Sequence, residues 1–166
     1  FSKWFPIDIN AGTAAAPIEV QGNKLSNMSY SGTMSGTGIN TPFVLCRSAG
    51  GVLNVGTVNG NILGDSLVNG SITYSSSSTS ASDINGFYFS GATSIVNLRN
   101  NVIGGLQTTL NGTGGANIIG IQTASVGAMD CRFNTIGGPI ANSMQCSSAF
   151  SSFVRGIVHN SKISAV

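Results

Sequence analysis

Charge is what this chain has least of. Seven Lys or Arg and five Asp or Glu make up 7% of its 166 residues, against roughly a quarter in an ordinary globular domain. The net charge is +2, with no basic run. That excludes the electrostatic footprint of a nucleic-acid binder and a polybasic membrane patch. His159 is the only histidine, so a multi-histidine metal centre is excluded too. Apolar runs are a few residues long at most, so no membrane-spanning helix is expected. The chain has no initiator Met, and Phe1-Ser2-Lys3-Trp4-Phe5 lacks the charged-then-apolar order of a leader. It reads as a mature or trimmed piece of something longer. Cysteine is sparse as well: Cys46, Cys131 and Cys146 are odd in number and show no CxxC spacing. They fit three small buried hydrophobes, or one disulfide and a free thiol.

What is present is glycine, 23 residues of it, with abundant Ser, Thr and Asn and 41% apolar residues. The apolar share is too high for a disordered chain. The informative stretch is Asn134-Thr135-Ile136-Gly137-Gly138, with its near copy Asn101-Val102-Ile103-Gly104-Gly105. The form Asn-x-(Ile/Leu)-(Gly/Ser) recurs as Asn61-Ile62-Leu63-Gly64 and Asn23-Lys24-Leu25-Ser26, and degenerately as Ser161-Lys162-Ile163-Ser164. Counting back from each anchor gives Ile18-x-Val20, Gly56-x-Val58, Val96-x-Leu98, Met129-x-Cys131 and Gly156-x-Val158. One supersecondary unit is thus written about five times.

Within each unit apolar residues alternate with polar ones, then change phase at the Asn. Period two means strand. The phase change means a bend that keeps the next side chain inward, and Asn and Gly tolerate the left-handed backbone such a corner needs. Helical periodicity and helix caps are absent. A second strand precedes the first: Ile84 to Gly91 matches Ile118 to Ala124, with looser copies at Ile39 to Arg47 and Phe150 to Arg155. Polar stretches at 26–40, 65–83, 106–116 and 140–148 read as a third strand plus loop in most units. Anchors at 25, 63, 103, 136 and 163 are spaced 38, 40, 33 and 27 residues apart, so loops vary while strands keep register.

The expected fold is all-β: a right-handed parallel β-helix, or β-solenoid, of about five coils with two to three short strands each. Residues 17–166 form the solenoid. Residues 1–16, aromatic and non-repetitive, form a cap or a contact with another segment, because an open end exposes strand edges. Asn23, Asn61, Asn101 and Asn134 are expected to stack as a corner ladder, closed by Ser161, with amide-to-amide hydrogen bonds along the axis. Five coils would stand only about 20–25 Å tall.

The phrases Ile84-Asn85-Gly86-Phe87-Tyr88-Phe89-Ser90-Gly91 and Val96-Asn97-Leu98-Arg99-Asn100-Asn101-Val102-Ile103-Gly104-Gly105 resemble the units of large secreted parallel β-helix repeat proteins of Bacteroidetes-type bacteria, many of them adhesin-like. The likeness covers roughly residues 17–163. It departs at the Phe1–Ala16 end, the last unit and the long 65–83 insertion. It implies export to the cell surface, with the type IX route as the candidate, and Asp65-Ser66-Leu67 matches the pattern such bacteria O-glycosylate on serine, here Ser66.

Candidate chemistry is thin. The carboxylates are Asp8, Glu19, Asp65, Asp83 and Asp130. Glu19 and Asp130 share an outward column but lie three coils apart, about 14 Å, too far for a glycosidase pair. No calcium-type oxygen cluster is evident, and His159 has no nucleophile motif beside it. No metal and no cofactor are implied. The best ligand-binding candidate is an outward column of Gln21, Asn59, Arg99, Arg132 and His159, in which Arg99 and Arg132 sit on adjacent coils beside Asp130 and Asn97. It could hold an anion or sugar hydroxyls, or be a solvated face with a local Asp–Arg pair. Tyr88 and Tyr74 are the aromatics that could stack on a sugar. Three Asn-x-Ser/Thr triplets, at Asn27, Asn69 and Asn111, matter only in a eukaryotic secretory setting.

The leading expectation is a non-enzymatic extracellular segment, structural or adhesive, of a bacterial surface protein or filament. Its partners would be adjoining β-helix segments or identical subunits end to end, with surface glycans as ligands. The alternatives are a polysaccharide-binding or polysaccharide-cleaving β-helix and a phage tail-fibre fragment.

Overall fold

The computed structural model of the chain describes residues 4–32, 40–77, 79–92, 94–124 and 126–160; in the strand that begins at Asn40, side chains are described from Val44 onward. Every strand pairing is parallel, and strands wind into four coils. The first holds β1 (Ile7–Ile9), β2 (Ile18–Val20), β3 (Lys24–Leu25) and β4 (Met28–Gly32). The second holds β5 (Asn40–Ser48), β6 (Val52–Val55), β7 (Ile62–Gly64) and β8 (Ile72–Ser76). The third holds β9 (Ser82–Ser90), β10 (Ile95–Arg99), β11 (Val102–Gly104) and β12 (Leu106–Leu110). The fourth holds β13 (Ala116–Ala124), β14 (Ala128–Arg132), β15 (Thr135–Ile136) and β16 (Met144–Ser148), and β17 (Val154–Asn160) follows as a lone fifth-level strand. Corresponding strands stack into four sheets, here A to D. Sheet A runs β1-β5-β9-β13-β17, and B, C and D have four strands each.

The solenoid is therefore as expected, but with four strands per coil rather than two or three, and four coils rather than five. The corner Asn does more than bend one strand: it separates sheet B from the two- or three-residue strands of sheet C. The polar stretches supply the strands of sheet D. The apparent fifth unit at Gly156-x-Val158 is not a sheet-B strand. It belongs to β17, where Ile157 pairs with Ile121 and His159 with Thr123. The looser copy of the sheet-A strand accordingly begins at Val154 and not at Phe150. Ser161, read as the closing corner, lies outside the described residues. β1 falls within the non-repetitive first sixteen residues, yet it pairs Ile7–Ile9 with Cys46–Ser48 in sheet A.

Coil two also departs from the fixed back-count. Its sheet-B partners are Ile18 with Leu53 and Val20 with Val55, and the next coil continues with Val96 and Leu98. Val55 and Asn61 are six residues apart, where Val20 and Asn23, Leu98 and Asn101, and Cys131 and Asn134 are three apart. The extra residues bulge outward, leaving Val58 77% exposed. Val58 is thus an exposed loop residue rather than core, and Gly56, though buried, lies in the same loop after β6.

Inside, the columns are dry. Leu53, Val55, Val96, Leu98, Leu63, Ile103, Ile72, Leu106, Ile84, Phe87 and Phe89 are fully buried. Each contributes on the order of 1.5–3 kcal/mol relative to exposure. Their counterparts in the last coil, Met129, Cys131, Ile136, Met144 and Cys146, only lean against this core. Sheet A bends inward at Gly86 and Gly120, where the chain passes so close to the next coil that a Cβ would lie 2.5 Å and 2.7 Å from the carbonyl oxygens of Gly120 and Gly156. The three cysteines are free thiols, and burial beside Asp8 pushes Cys46 up to about 12. A buried small hydrophobe is what Cys46 is, and nothing bridges it.

The corner ladder is continuous. Asn23 Nδ2 donates to Asn61 Oδ1 at 2.9 Å, Asn61 Nδ2 to Asn101 Oδ1 at 2.8 Å, and Asn101 Nδ2 to Asn134 Oδ1 at 2.9 Å. The same oxygens accept the backbone N–H of the preceding Asn at 3.0 Å. The left-handed residue is not the ladder Asn but its predecessor: Gly22 at φ 64°, Asn100 at φ 59° and Phe133 at φ 58°.

Two stability outcomes follow. Asn101 is fully buried, accepts from Asn61 and donates to the carbonyls of Val55 and Arg99. Asn101→Ala should cost roughly 2–4 kcal/mol in urea unfolding, and exposed Asn23→Ala less than about 1 kcal/mol; equal costs would disprove a ladder that matters through burial. Phe133 is 79% exposed and holds a left-handed backbone that a bulky side chain resists, so Phe133→Gly should raise stability by about 1 kcal/mol.

Candidate functional site

The outer face of sheet B carries the residues picked out by sequence. Period two puts Glu19, Asn54, Asn97 and Asp130 in one column. Arg99 and Arg132 occupy the next. Hydrogen bonds run up the first column: Asn54 Nδ2 donates to Glu19 Oε1 at 2.5 Å, and Asn97 Nδ2 to Asn54 Oδ1 at 2.8 Å. Gln21 joins at the bottom, donating to Glu19 Oε2 at 2.7 Å and to Thr57 Oγ1 at 3.0 Å.

At the top, Asp130 is gripped from two sides. Arg132 donates Nε to Oδ1 at 2.5 Å and Nη2 to Oδ2 at 2.6 Å, a fork-on-carboxylate pair. Arg99 Nη2 reaches the same Oδ2 from the coil below. These bonds hold the Asp130 carboxyl well below the usual carboxylate range and raise Arg132 above its own. Two guanidinium charges against one carboxylate leave a local excess of one positive charge, spread over a half-exposed strip. An incoming anion would have to compete with Asp130 for both arginines. Arg99, Arg132, Asp130 and Asn97 are thus brought together; Asp130 is taken up by the two arginines, while Arg99 Nε is buried without a partner among the described residues.

Two residues assigned to that strip lie elsewhere. Asn59 sits in the coil-two bulge, where its N–H donates to Gln21 Oε1 at 3.2 Å. His159 is in sheet A, with Nδ1 2.7 Å from Thr123 Oγ1. Tyr74 is buried at 1% exposure and stacks on Tyr30 at 5.7 Å between centroids, so it faces the core and no ligand. Tyr88 is half-buried between the inward Phe87 and Phe89. Ser66 is half-buried in the turn after β7, where Asp65 Oδ1 accepts the Leu67 N–H at 2.9 Å. Among the described residues no group of three or more His, Cys, Asp or Glu could hold a metal ion, and no helix is long and apolar enough to cross a membrane.

Sequence reasoning missed two features. One is the buried start of sheet A. Asp83, 5% exposed, accepts from Asn117 Nδ2 at 2.6 Å, and Asn117 Oδ1 accepts the Phe153 N–H at 3.2 Å. Burial raises the Asp83 carboxyl, while Asn117 and the Arg155 charge partly offset it. The other is the outer face of sheet D. Its columns are Ser29/Thr73/Gln107/Gln145 and Ser31/Ser75/Thr109/Ser147. The signal was in the sequence as a polar residue at every second position of each polar stretch. It was invisible while those stretches had no common register.

Comparison of the chain with protein-family models, curated proteins and solved structures returns no match. The likeness to adhesin-type repeat proteins therefore rests on the repeated phrases alone.

The buried carboxyl gives a pH test. The native state binds the Asp83 proton more tightly than the unfolded chain does, so its cost is present at neutral pH and fades as pH falls through the native pKa. It is gone below the unfolded value of about 3.9. Asp83→Asn, which can still accept from Asn117, should unfold at higher urea than wild type at neutral pH and level with it in acid. A variant that is less stable at neutral pH would show that the Arg155 attraction outweighs burial.

Proposed function

We propose that the chain is a non-enzymatic β-solenoid segment with a structural and adhesive role on the outside of a bacterial cell or filament. The observation that carries this is the chemistry of the outward faces. On sheet D they are uncharged hydroxyl and amide columns in register from coil to coil, and the charged cluster on sheet B is closed on Asp130. A surface of this kind is indifferent to salt and offers many weak, repeated contacts. Such contacts suit attachment better than turnover, which needs a few groups with shifted pKa values converging on one reacting atom. The carboxylates are spread instead: Glu19 and Asp130 end the same column, three coils apart. Bacteroidetes-type surface repeat proteins remain the family this reading points to, on the strength of the Asn-x-Ile-Gly-Gly phrases.

Two measurements test the proposal. Purified chain held with pectin, alginate and xylan should release no reducing ends above buffer; a release abolished by Asp130→Asn would overturn the non-enzymatic part. Bacteria displaying the chain on their surface should be retained severalfold better on polysaccharide-coated beads than undecorated cells; no gain in retention would overturn the adhesive part.

A further inference from the structure

Two clefts follow one another along the edge where sheet D turns into sheet A. The larger, about 490 Å³, is lined by Thr109, Asn111, Thr113, Ser147 and Phe150 among others. The second, about 330 Å³, is lined by Ser31, Ser75, Ser77 and again Asn111. Asn111 belongs to both. Because Ser31, Ser75, Thr109 and Ser147 are register partners on successive coils, the pair makes one groove crossing all four coils along the solenoid axis.

We infer that this groove binds an extended, uncharged polysaccharide laid along the axis. The inference names the ligand of the adhesive reading above and rests on it. Its first ground is the wall. No lining residue of either cleft carries a charge, so nothing there would select a carboxylate or a sulfate over a hydroxyl. The second is what the polar groups already do. In the neighbouring column Thr73 donates to Ser29 at 3.0 Å and Gln107 to Gln145 at 3.2 Å, so those groups are partly satisfied within the protein. Among the described residues the hydroxyls of Ser31, Ser75, Thr109 and Ser147 are not engaged in this way. Each can both donate and accept, which is what a sugar hydroxyl requires. The third is an aromatic platform. Phe150, 47% exposed, stands in the wall of the larger cleft where the chain leaves β16, and a pyranose ring can lie against such a face.

Spacing favours a linear chain over a single sugar. Successive coils are about 4.8 Å apart, and a β-1,4-linked pyranose chain advances by nearly that distance per ring. About one ring then passes each coil, alternate rings presenting opposite edges to hydroxyls that can both donate and accept, and weak contacts add along its length. A coiled α-linked chain would not keep that step. The Arg99–Asp130–Arg132 strip lies on sheet B and takes no part.

Cellohexaose is the probe, titrated calorimetrically into the full chain, with an α-1,6-linked dextran oligomer and a galacturonate hexamer as controls. Saturable binding of cellohexaose alone is expected. Phe150→Ala and Thr109→Lys should each weaken it by about fivefold or more, and Arg132→Ala should leave it unchanged. Both cleft residues are exposed, so unchanged urea midpoints should confirm that the fold is kept. The inference is overturned if cellohexaose does not bind, if neither cleft variant weakens it, if Arg132→Ala does, or if galacturonate binds as well. Displaying cells that adhere although cellohexaose does not bind would remove the groove and leave the adhesive reading standing. Cellohexaose binding in the groove without any adhesion would do the reverse.

Discussion

The amide ladder at the corner between sheets B and C is the constraint the rest of the winding depends on. A parallel coil has to turn sharply without leaving backbone donors and acceptors stranded beside a dry interior. The oxygens of Asn61, Asn101 and Asn134 each take two donors from the Asn of the coil below, and the amide groups bond onward or to nearby backbone carbonyls. Because an Asn stands at this corner in all four coils, the corners must lie over one another, and the sheets on either side inherit that register. Before Asn23, Asn101 and Asn134 a left-handed residue turns the chain, which frees the Asn itself to act as the bond-making group; in coil two Gly56 takes the left-handed turn at the head of the bulge. Gly, Asn and even an exposed Phe fill that preceding place.

Register explains why such low charge suffices. A solenoid repeats each outward position at strand spacing, so a charged residue in a column faces its own kind about 4.8 Å away on the next coil. Most columns avoid stacked like charges; the exception is Arg99 and Arg132, register partners whose repulsion Asp130 offsets by bonding to both. Hydroxyl and amide columns have no such penalty, because each group can donate to one neighbour and accept from another. On sheet D the hydroxyls of Ser31, Ser75, Thr109 and Ser147 make no such bonds among the described residues and stand unspent beside a cleft.

Much of this was legible because period-two alternation and a repeated corner phrase depend only on local chemistry. The pairing of Ile84–Ser90 with Ile118–Ala124, the Asn column and the adjacency of Arg99 and Arg132 could all be read by aligning units. The errors share one cause. Counting back a fixed number of residues assumes that no loop lies between strand and corner, and the bulge at Gly56–Gly60 breaks that assumption. So does β17, whose Gly-x-Val pattern imitates a sheet-B strand although it follows sheet D. Short apolar alternations are interchangeable between sheets; only the length of chain available to close each turn tells them apart.

Sequence by itself determined the parallel winding, the identity of the ladder residues and the near-absence of charge on the faces, because each follows from which residue type recurs at which spacing. The three-dimensional packing alone decided that Asp130 would neutralise both arginines, that Tyr74 would turn into the core and His159 into sheet A, and that scattered Ser and Thr residues would line a single groove. Those outcomes depend on which strands become neighbours across thirty or forty residues of intervening chain, and no single unit carries a record of that.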